Sequence, residues 1–257
     1  MIVNKLNIFS QNVCKNSLIV NSILKTHNHF NIVFIQELLW FAIQSIPSSA
    51  SNEEEVLVGA SNWLSFTRSS TNQSNYPRVI AYINSRLSYL QFSLHRDIIN
   101  YKDILLISFF SNNIFFFIMN IYSDTFHSAL KYLKDTEVNI DNLIIMTDNF
   151  NIRDSLWNLS FPHHFSISDN LFILADLSNL ELSIPINPIP TRYLDIPGMS
   201  NSVLDLIFFC NNSSKLNRHI IHPSWRLTSN HALLTITITI EEEHMMNIKF
   251  SLSKNSK

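Results

Sequence analysis

Asn12, Glu37, Tyr122, Asn149, Asn151, Asp205, Asn230 and His231 each stand at the end of a short apolar run, or just inside one, in a chain of 257 residues. Carboxylate and amide oxygens of this kind suit a hard divalent cation and the phosphate groups it polarises. A histidine beside a carboxylate holds or gives a proton near neutral pH, and a tyrosine hydroxyl donates to an anionic oxygen. Taken singly, each residue has an ordinary role. An Asn after a strand serves a turn, Glu37 suits the start of a helix at Leu38, and Asp205 can hydrogen-bond a loop. The set says more than any member, because ends of neighbouring strands converge on one edge of a sheet sandwich.

The elements that must position these groups are mostly strands. Runs rich in Ile, Phe, Val and Tyr predict strands over residues 6–11, 32–36, 56–58, 63–67, 79–84, 90–94, 104–110, 114–121, 143–147, 203–209 and 232–240. In the last, Thr235, Thr237 and Thr239 alternate with Ile236, Ile238 and Ile240, the period of a half-buried strand. Helical spacing appears at 17–26, with Ser17 as N-cap, at 124–134, with Phe126, Leu130 and Leu133 on one face, and at 168–177. Strands mixed with fewer helices predict stacked sheets covered by helices. Residues 48–55 and 69–75 read as polar loops.

Composition narrows the function classes. A net charge of −2 excludes binding of nucleic acid through bulk positive charge, so any such contact is local. Cys14 and Cys210 are too few for a disulfide framework or a thiolate-built zinc site. Gly59 and Gly198 are the two glycines, which excludes a P-loop and a dinucleotide fingerprint. Turns at positive φ are therefore expected to fall on Asn. His27-x-His29 and His163-His164 lack a carboxylate at a familiar spacing, so no metal is assigned to them. The apolar stretch 104–122 is split by Ser111-Asn112-Asn113 and reads as two buried strands rather than a membrane span. Residues 1–10 lack a signal peptide's apolar core, which predicts an intracellular protein.

Six motifs fall in a characteristic order: Gln11-Asn12, Ile35-Gln36-Glu37, Asn120-Ile121-Tyr122, Asn149-Phe150-Asn151, Ser202-Val203-Leu204-Asp205-Leu206 and Ser229-Asn230-His231. Over about residues 5–240 the chain resembles the endonuclease/exonuclease/phosphatase superfamily, and within it the apurinic-type endonuclease domain of non-LTR (LINE-like) retrotransposons. Pro77-Arg78-Val79-Ile80-Ala81-Tyr82-Ile83-Asn84, Asn151-Ile152-Arg153-Asp154-Ser155-Leu156-Trp157 and Trp225-Arg226-Leu227-Thr228 look like that subfamily's contexts. The resemblance implies an α/β (mixed α+β) fold, a four-layer α-β-β-α sandwich of two mixed β-sheets flanked by helices, over residues 1–240, with 241–257 as a disordered tail. It implies a monomeric, Mg²⁺-dependent phosphodiester hydrolase, with Mn²⁺ as a substitute. Its partner would be DNA held in a local groove, with no membrane or protein partner, and its place the nucleus if it works as a retroelement nuclease. Glu37 would bind the metal. Asn12 and Asn151 would orient phosphate and water, Tyr122 would donate to phosphate, and His231 would contact phosphate with Asp205 behind it. Arg192 and Trp225 would add substrate contacts.

Two positions depart from that pattern. The family's Gly-Asp-Phe-Asn reads Asp148-Asn149-Phe150-Asn151, and its Ser-Asp-His reads Ser229-Asn230-His231. Cys14 also stands where some relatives carry an acid. An amide neither accepts a proton at neutral pH nor brings charge to a metal, and loss of a general base costs ~10²–10⁴ in rate. Asp148 is not expected to substitute, because strand neighbours point to opposite faces. Weak or absent catalysis is expected. A non-catalytic nucleic-acid-binding or interaction module is the alternative, and a phosphomonoesterase ranks below both. Scarce Gly and abundant Asn, Ile and Phe fit drift toward A/T-rich codons in a decayed, fragmentary copy. This hypothesis fails if third codon positions of the coding DNA show no A/T excess.

Overall fold

Runs that are apolar on both alternating positions have no wet face, so they form strands buried on both sides. In the computed structural model, which describes residues 5–38, 45–47, 55–57, 62–67, 76–111, 114–158, 161–194, 200–210, 214–225 and 229–240, these runs build two sheets. The elements are β1 (Lys5–Asn12), α1 (Ser17–Thr26), β2 (Ile32–Gln36), β3 (Ser45–Pro47), β4 (Glu55–Leu57), β5 (Trp63–Phe66), β6 (Val79–Asn84), β7 (Gln91–Leu94), β8 (Ile104–Ser111), β9 (Ile114–Tyr122), α2 (Ser128–Asp135), β10 (Leu143–Asn149), α3 (Ser166–Leu177), β11 (Glu181–Leu182), β12 (Asp205–Phe209), β13 (Ser214–His222) and β14 (Leu233–Ile240). One six-stranded sheet runs β13-β14-β1-β2-β6-β5 and the other β11-β12-β10-β9-β8-β7, with β3 and β4 as a separate pair. Both large sheets are mixed, since β1 pairs parallel with β2 and β9 with β10 while their other pairings are antiparallel.

Alternation along the strands separates three apolar layers. Leu6, Ile8, Ile32 and Phe34 of the first sheet meet Leu105, Ile107, Phe116 and Ile118 of the second in the central core. On the outer face of the first sheet, Phe9, Val33, Ile35 and Tyr82 pack on Ile19, Val20, Ile23 and Leu24 of α1. On the outer face of the second, Met119, Ile121, Met146 and Phe208 pack beneath Leu130 and Leu133 of α2 and Leu171 and Ala175 of α3. Helix, sheet, sheet and helices give the four layers expected.

The inward face turns polar toward one end of the sandwich. Along β1 it reads Leu6, Ile8, Ser10, Asn12; along β2, Ile32, Phe34, Gln36; along β9, Phe116, Ile118, Asn120, Tyr122; and along β10, Ile145, Thr147, Asn149. Ser10 and Thr147 hydroxyls lie 3.0 Å apart across the sheets, and the Gln36 amide donates to Ser10 Oγ at 2.9 Å and to Asn120 Oδ1 at 2.7 Å. This buried network ties the two sheets together directly below the candidate site.

Several expectations need correction. β13 is a nine-residue strand that no apolar run announced, and β3 and β11 are likewise additional. Asn16, not Ser17, caps α1, accepting the Leu18 N–H at 3.1 Å. α2 begins at Ser128 rather than 124, because the Asp124 carboxylate takes the Phe126 and Ser128 N–H groups and ends the preceding turn; Phe126 is 75% exposed instead of facing inward. Asp205 opens β12 rather than lying inside it, and Asn149 closes β10 rather than following it. Positive φ falls on Asn142, Asn151 and Asn179, but also on Cys14, Lys15, Glu37, His127 and Glu137. Residues 48–54, 58, 69–75 and 241–257 lie outside those described.

Candidate active site

Register brings the first pair together. β10 lies antiparallel to β12 with Asn149 opposite Asp205, and parallel to β9 with Asn149 opposite Tyr122. His231 arrives from the start of β14 on the other sheet. Its Nδ1 lies 2.8 Å from Asp205 Oδ2, so Nδ1–H donates to the carboxylate and Nε2 is the unprotonated nitrogen of the ring. Asp205 is itself oriented by its backbone N–H, which donates to Thr191 Oγ1 at 3.0 Å. His231 is oriented by its own N–H, donated to Ser229 Oγ at 3.0 Å. Both side chains are almost fully buried.

Asn149 completes this cluster as an amide. Its Nδ2 donates to Asp205 Oδ1 at 2.9 Å and lies 3.0 Å from His231 Nδ1. Because the His231 Nδ1 proton goes to Asp205, that approach sets two donors side by side, and the contact the amide can make to the ring is a long one, to Nε2 at 3.5 Å. Asn149 Oδ1 is buried without a hydrogen-bond partner among the described residues. An amide in this place fixes Asp205 and His231 but has no proton affinity to offer an attacking water. The Asp148 side chain lies outside what is described.

A second cluster gathers at the loop after β1. Asn12 Oδ1 accepts the Cys14 N–H at 2.8 Å, the Cys14 thiol donates to Asn230 Oδ1 at 2.8 Å, and Ser229 Oγ donates to Asn12 O at 2.7 Å. Burial pushes the Cys14 thiol above its usual pKa, with the nearby Glu37 charge acting in the same direction, so it stays protonated at neutral pH. Glu37 holds φ 52, and its carbonyl accepts the Lys15 N–H at 2.8 Å. Asn151 holds φ 51 and donates to Ser123 O at 2.6 Å. Left-handed backbone at Cys14, Lys15, Glu37 and Asn151, none of them glycine, concentrates strain on the loops around the site.

A hard divalent cation needs several oxygen ligands, preferably charged. Glu37 offers a carboxylate with no hydrogen bond to the described residues, but Asp205 is committed to His231 and Asn149, and the Asn12 and Asn230 oxygens to Cys14. The protonated Cys14 thiol lies within reach of the Glu37 charge. No group of three or more His, Cys, Asp or Glu that could hold a metal exists among the described residues. Among the groups of this site Glu37 alone is left to meet a hard cation, and Mg²⁺ there would complete its shell with water and substrate phosphate.

Tyr122 is positioned by Arg78, which stands in one of the quoted motifs, and by two carboxylates, Asp103 and Asp124, that the sequence had not singled out. The Arg78 guanidinium lies 4.6 Å above its ring. Arg78 is clamped by the fully buried Asp103 and by Asp124. Burial works against its charge, yet these carboxylates raise its pKa overall. Arg192 joins the site through backbone bridges to Ser202 and His231, with Nε buried and unpaired among the described residues. Trp225 lies in a short 3-10 turn, and its side chain is outside those described. His164, read as lacking a carboxylate, has two: Nδ1 lies 3.0 Å from Asp154 and Nε2 2.9 Å from Asp169. Among the described residues no helix is long and apolar enough to cross a membrane.

No model of a known protein family matches the chain. No curated protein matches it either. Solved structures do. The endonuclease domain of TRAS1, a telomere-specific non-LTR retrotransposon, superposes with a TM-score of 0.67 at 12% identity, covering 92% of this chain and 99% of that one. AP endonuclease LMAP from Leishmania major gives 0.61 at 10% identity, covering 93% and 89%. D. rerio TDP2 complexed with a single strand DNA product gives 0.56 at 13% identity, covering 91% and 99%. Further matches are described as endonuclease/exonuclease/phosphatase proteins. At these identities the likeness is one of fold, and the fold is the one the motif order implied.

Proposed function

We propose that this chain, with the endonuclease/exonuclease/phosphatase fold as its frame, is a phosphodiester hydrolase of the retrotransposon endonuclease type whose chemical step is disabled. The observation that supports the reading is the Asn149–Asp205–His231 cluster, in which a histidine is held by a buried carboxylate and the side chain beside them is an amide. DNA is the proposed ligand, bound through Asn12, Tyr122, Asn151, Arg192 and His231. Mg²⁺ would find one free carboxylate, Glu37, and bind poorly. Turnover is thus expected to be weak or absent, and binding with no turnover at all would favour the alternative, a binding module.

Nicking of supercoiled plasmid in Mg²⁺, comparing the chain with Asn149→Asp plus Asn230→Asp, tests this. Nicking by the double variant and none by the parent supports the assignment. Equal nicking by both would show that the two amides do not limit the reaction. If neither nicks while both are folded and bind DNA, the chain is a binding module on this fold.

A further inference from the structure

Arg78 immediately precedes β6 and stands where three parts of the site meet. Its carbonyl accepts the Leu38 N–H at 3.2 Å, which ties it to the turn that carries Glu37 in the first sheet. Its side chain reaches residues at the edge of the second. There Nε donates to Asp103 Oδ1 at 2.7 Å, and Nη2 donates both to Asp103 Oδ2 and, at 3.2 Å, to Asp124 Oδ2. Asp103 also fixes Tyr122 directly, since its carbonyl accepts the Tyr122 N–H at 2.9 Å. A planar guanidinium held by such a fork has its orientation set, and its central carbon rests 4.6 Å from the centroid of the Tyr122 ring.

A cation in this place could act on phosphate directly or through the ring. Direct capture is opposed by charge. Asp103 and Asp124 set two negative charges against the one positive, so the cluster has no net attraction for an anion. The route through the ring has the geometry for it. A cation over an aromatic face is attracted to the π density and draws that density toward itself, which makes the phenolic O–H a better donor to an anionic oxygen. Tyr122 closes β9 opposite Asn149 and is 7% exposed. Holding its ring in place before a ligand arrives removes the cost of ordering it on binding.

We infer that Arg78 is a positioning residue of this site: its cation, clamped by Asp103 and Asp124 over the Tyr122 ring, orients and strengthens the Tyr122 hydroxyl as a donor to a DNA phosphate. The inference rests on the proposal that Tyr122 meets DNA, and it gives Arg78 no contact with DNA of its own.

A double-mutant cycle on the full chain tests it, with affinity for a fluorescent duplex oligonucleotide read by anisotropy. Because Asp103 is fully buried, the cycle is run in an Asp103→Asn chain, where Arg78→Met strands no buried charge. Arg78→Met is expected to weaken binding about fivefold when the Tyr122 hydroxyl is present and under about twofold in Tyr122→Phe. Arg78→Lys, made without Asp103→Asn, keeps a charge against Asp103 but loses the flat fork over the ring, and is expected to show the same dependence on the hydroxyl. It decides the matter if the Asp103→Asn chains do not fold. Equal losses with and without the hydroxyl, or no loss in either, would overturn the inference, because a direct phosphate contact or a purely structural role acts alike in both. A parent chain that binds no DNA overturns the proposed ligand together with this inference, whereas DNA binding with parallel losses overturns this inference alone.

Discussion

Asn149 sits in an environment that holds two polar side chains and one carboxylate charge. It is fully buried, 2.9 Å from the Asp205 carboxylate. An Asp there would set two carboxylates side by side, and like charges at this spacing disfavour joint ionisation. Asn149→Asp is therefore expected to lower stability at pH 7 by ~1–3 kcal/mol. Mg²⁺ should recover part of that loss and leave the parent chain unchanged in thermal unfolding. Equal stabilisation of both by Mg²⁺ would contradict the poor donor set described here. Backbone strain nearby gives a second expectation. Lys15 is exposed at φ 63, a conformation that suits glycine. Lys15→Gly should raise the unfolding free energy by ~1 kcal/mol, read from urea denaturation, with its N–H bond to Glu37 O retained.

α3 shows how an element can be started from a distance. Its N-cap residue, Phe165, provides no side-chain cap. Asp154 does this work from eleven residues upstream, accepting the Phe165 N–H at 2.9 Å, the Ser168 hydroxyl at 2.6 Å and the Leu156 N–H at 2.9 Å. Burial pushes its carboxyl up, but these bonds and His164 outweigh that and hold it at about 2, below the ordinary 3.8. A depressed carboxyl contributes stability above its ordinary pKa and loses it as pH falls through the folded value. His164 acts in the opposite sense. Its bonds to Asp154 and Asp169 raise its pKa above 6.5, so its contribution is present below that pH and fades as pH rises through the raised value. Asp154→Ala should cost about 3 kcal/mol in urea unfolding, since it leaves several donors unmet in a buried place. A loss below about 0.5 kcal/mol would mean that α3 is anchored by its apolar face alone.

At the scale of the whole molecule, the two sheets are held by a shared apolar layer with a polar lid, and the open side edges are the weak feature. His219 sits at one of them, buried and neutral. Its folded pKa of about 4 lies below the ordinary 6.5, so between these values the unfolded chain binds more protons and stability rises with pH. Acidification from pH 7 to 5 is expected to cost about 2 kcal/mol through this residue. Thermal unfolding across that range should be steeper for the parent than for His219→Leu. A parallel pH dependence in the two would show that His219 is not buried in solution.

What the residues determined by themselves were the strands whose apolar alternation is local, the order of six motifs, and the presence of amides at Asn149 and Asn230. Each of these can be read within a few positions, because strand period and side-chain chemistry are properties of short segments. β13 escaped because Ser214–His222 mixes Lys215, Asn217, Arg218 and His219 into its apolar positions, as an edge strand with a register shift between Leu216 and Arg218 can. The tertiary structure alone decided which polar groups meet. Cys14 reaches Asn230 across 216 positions, Asn149 reaches Asp205 across 56, and Arg78 is drawn over Tyr122 by Asp103 and Asp124. Such contacts leave no period in the chain. They form because burial forces each polar group to find a partner, and the partner is whichever one the sheet register brings alongside.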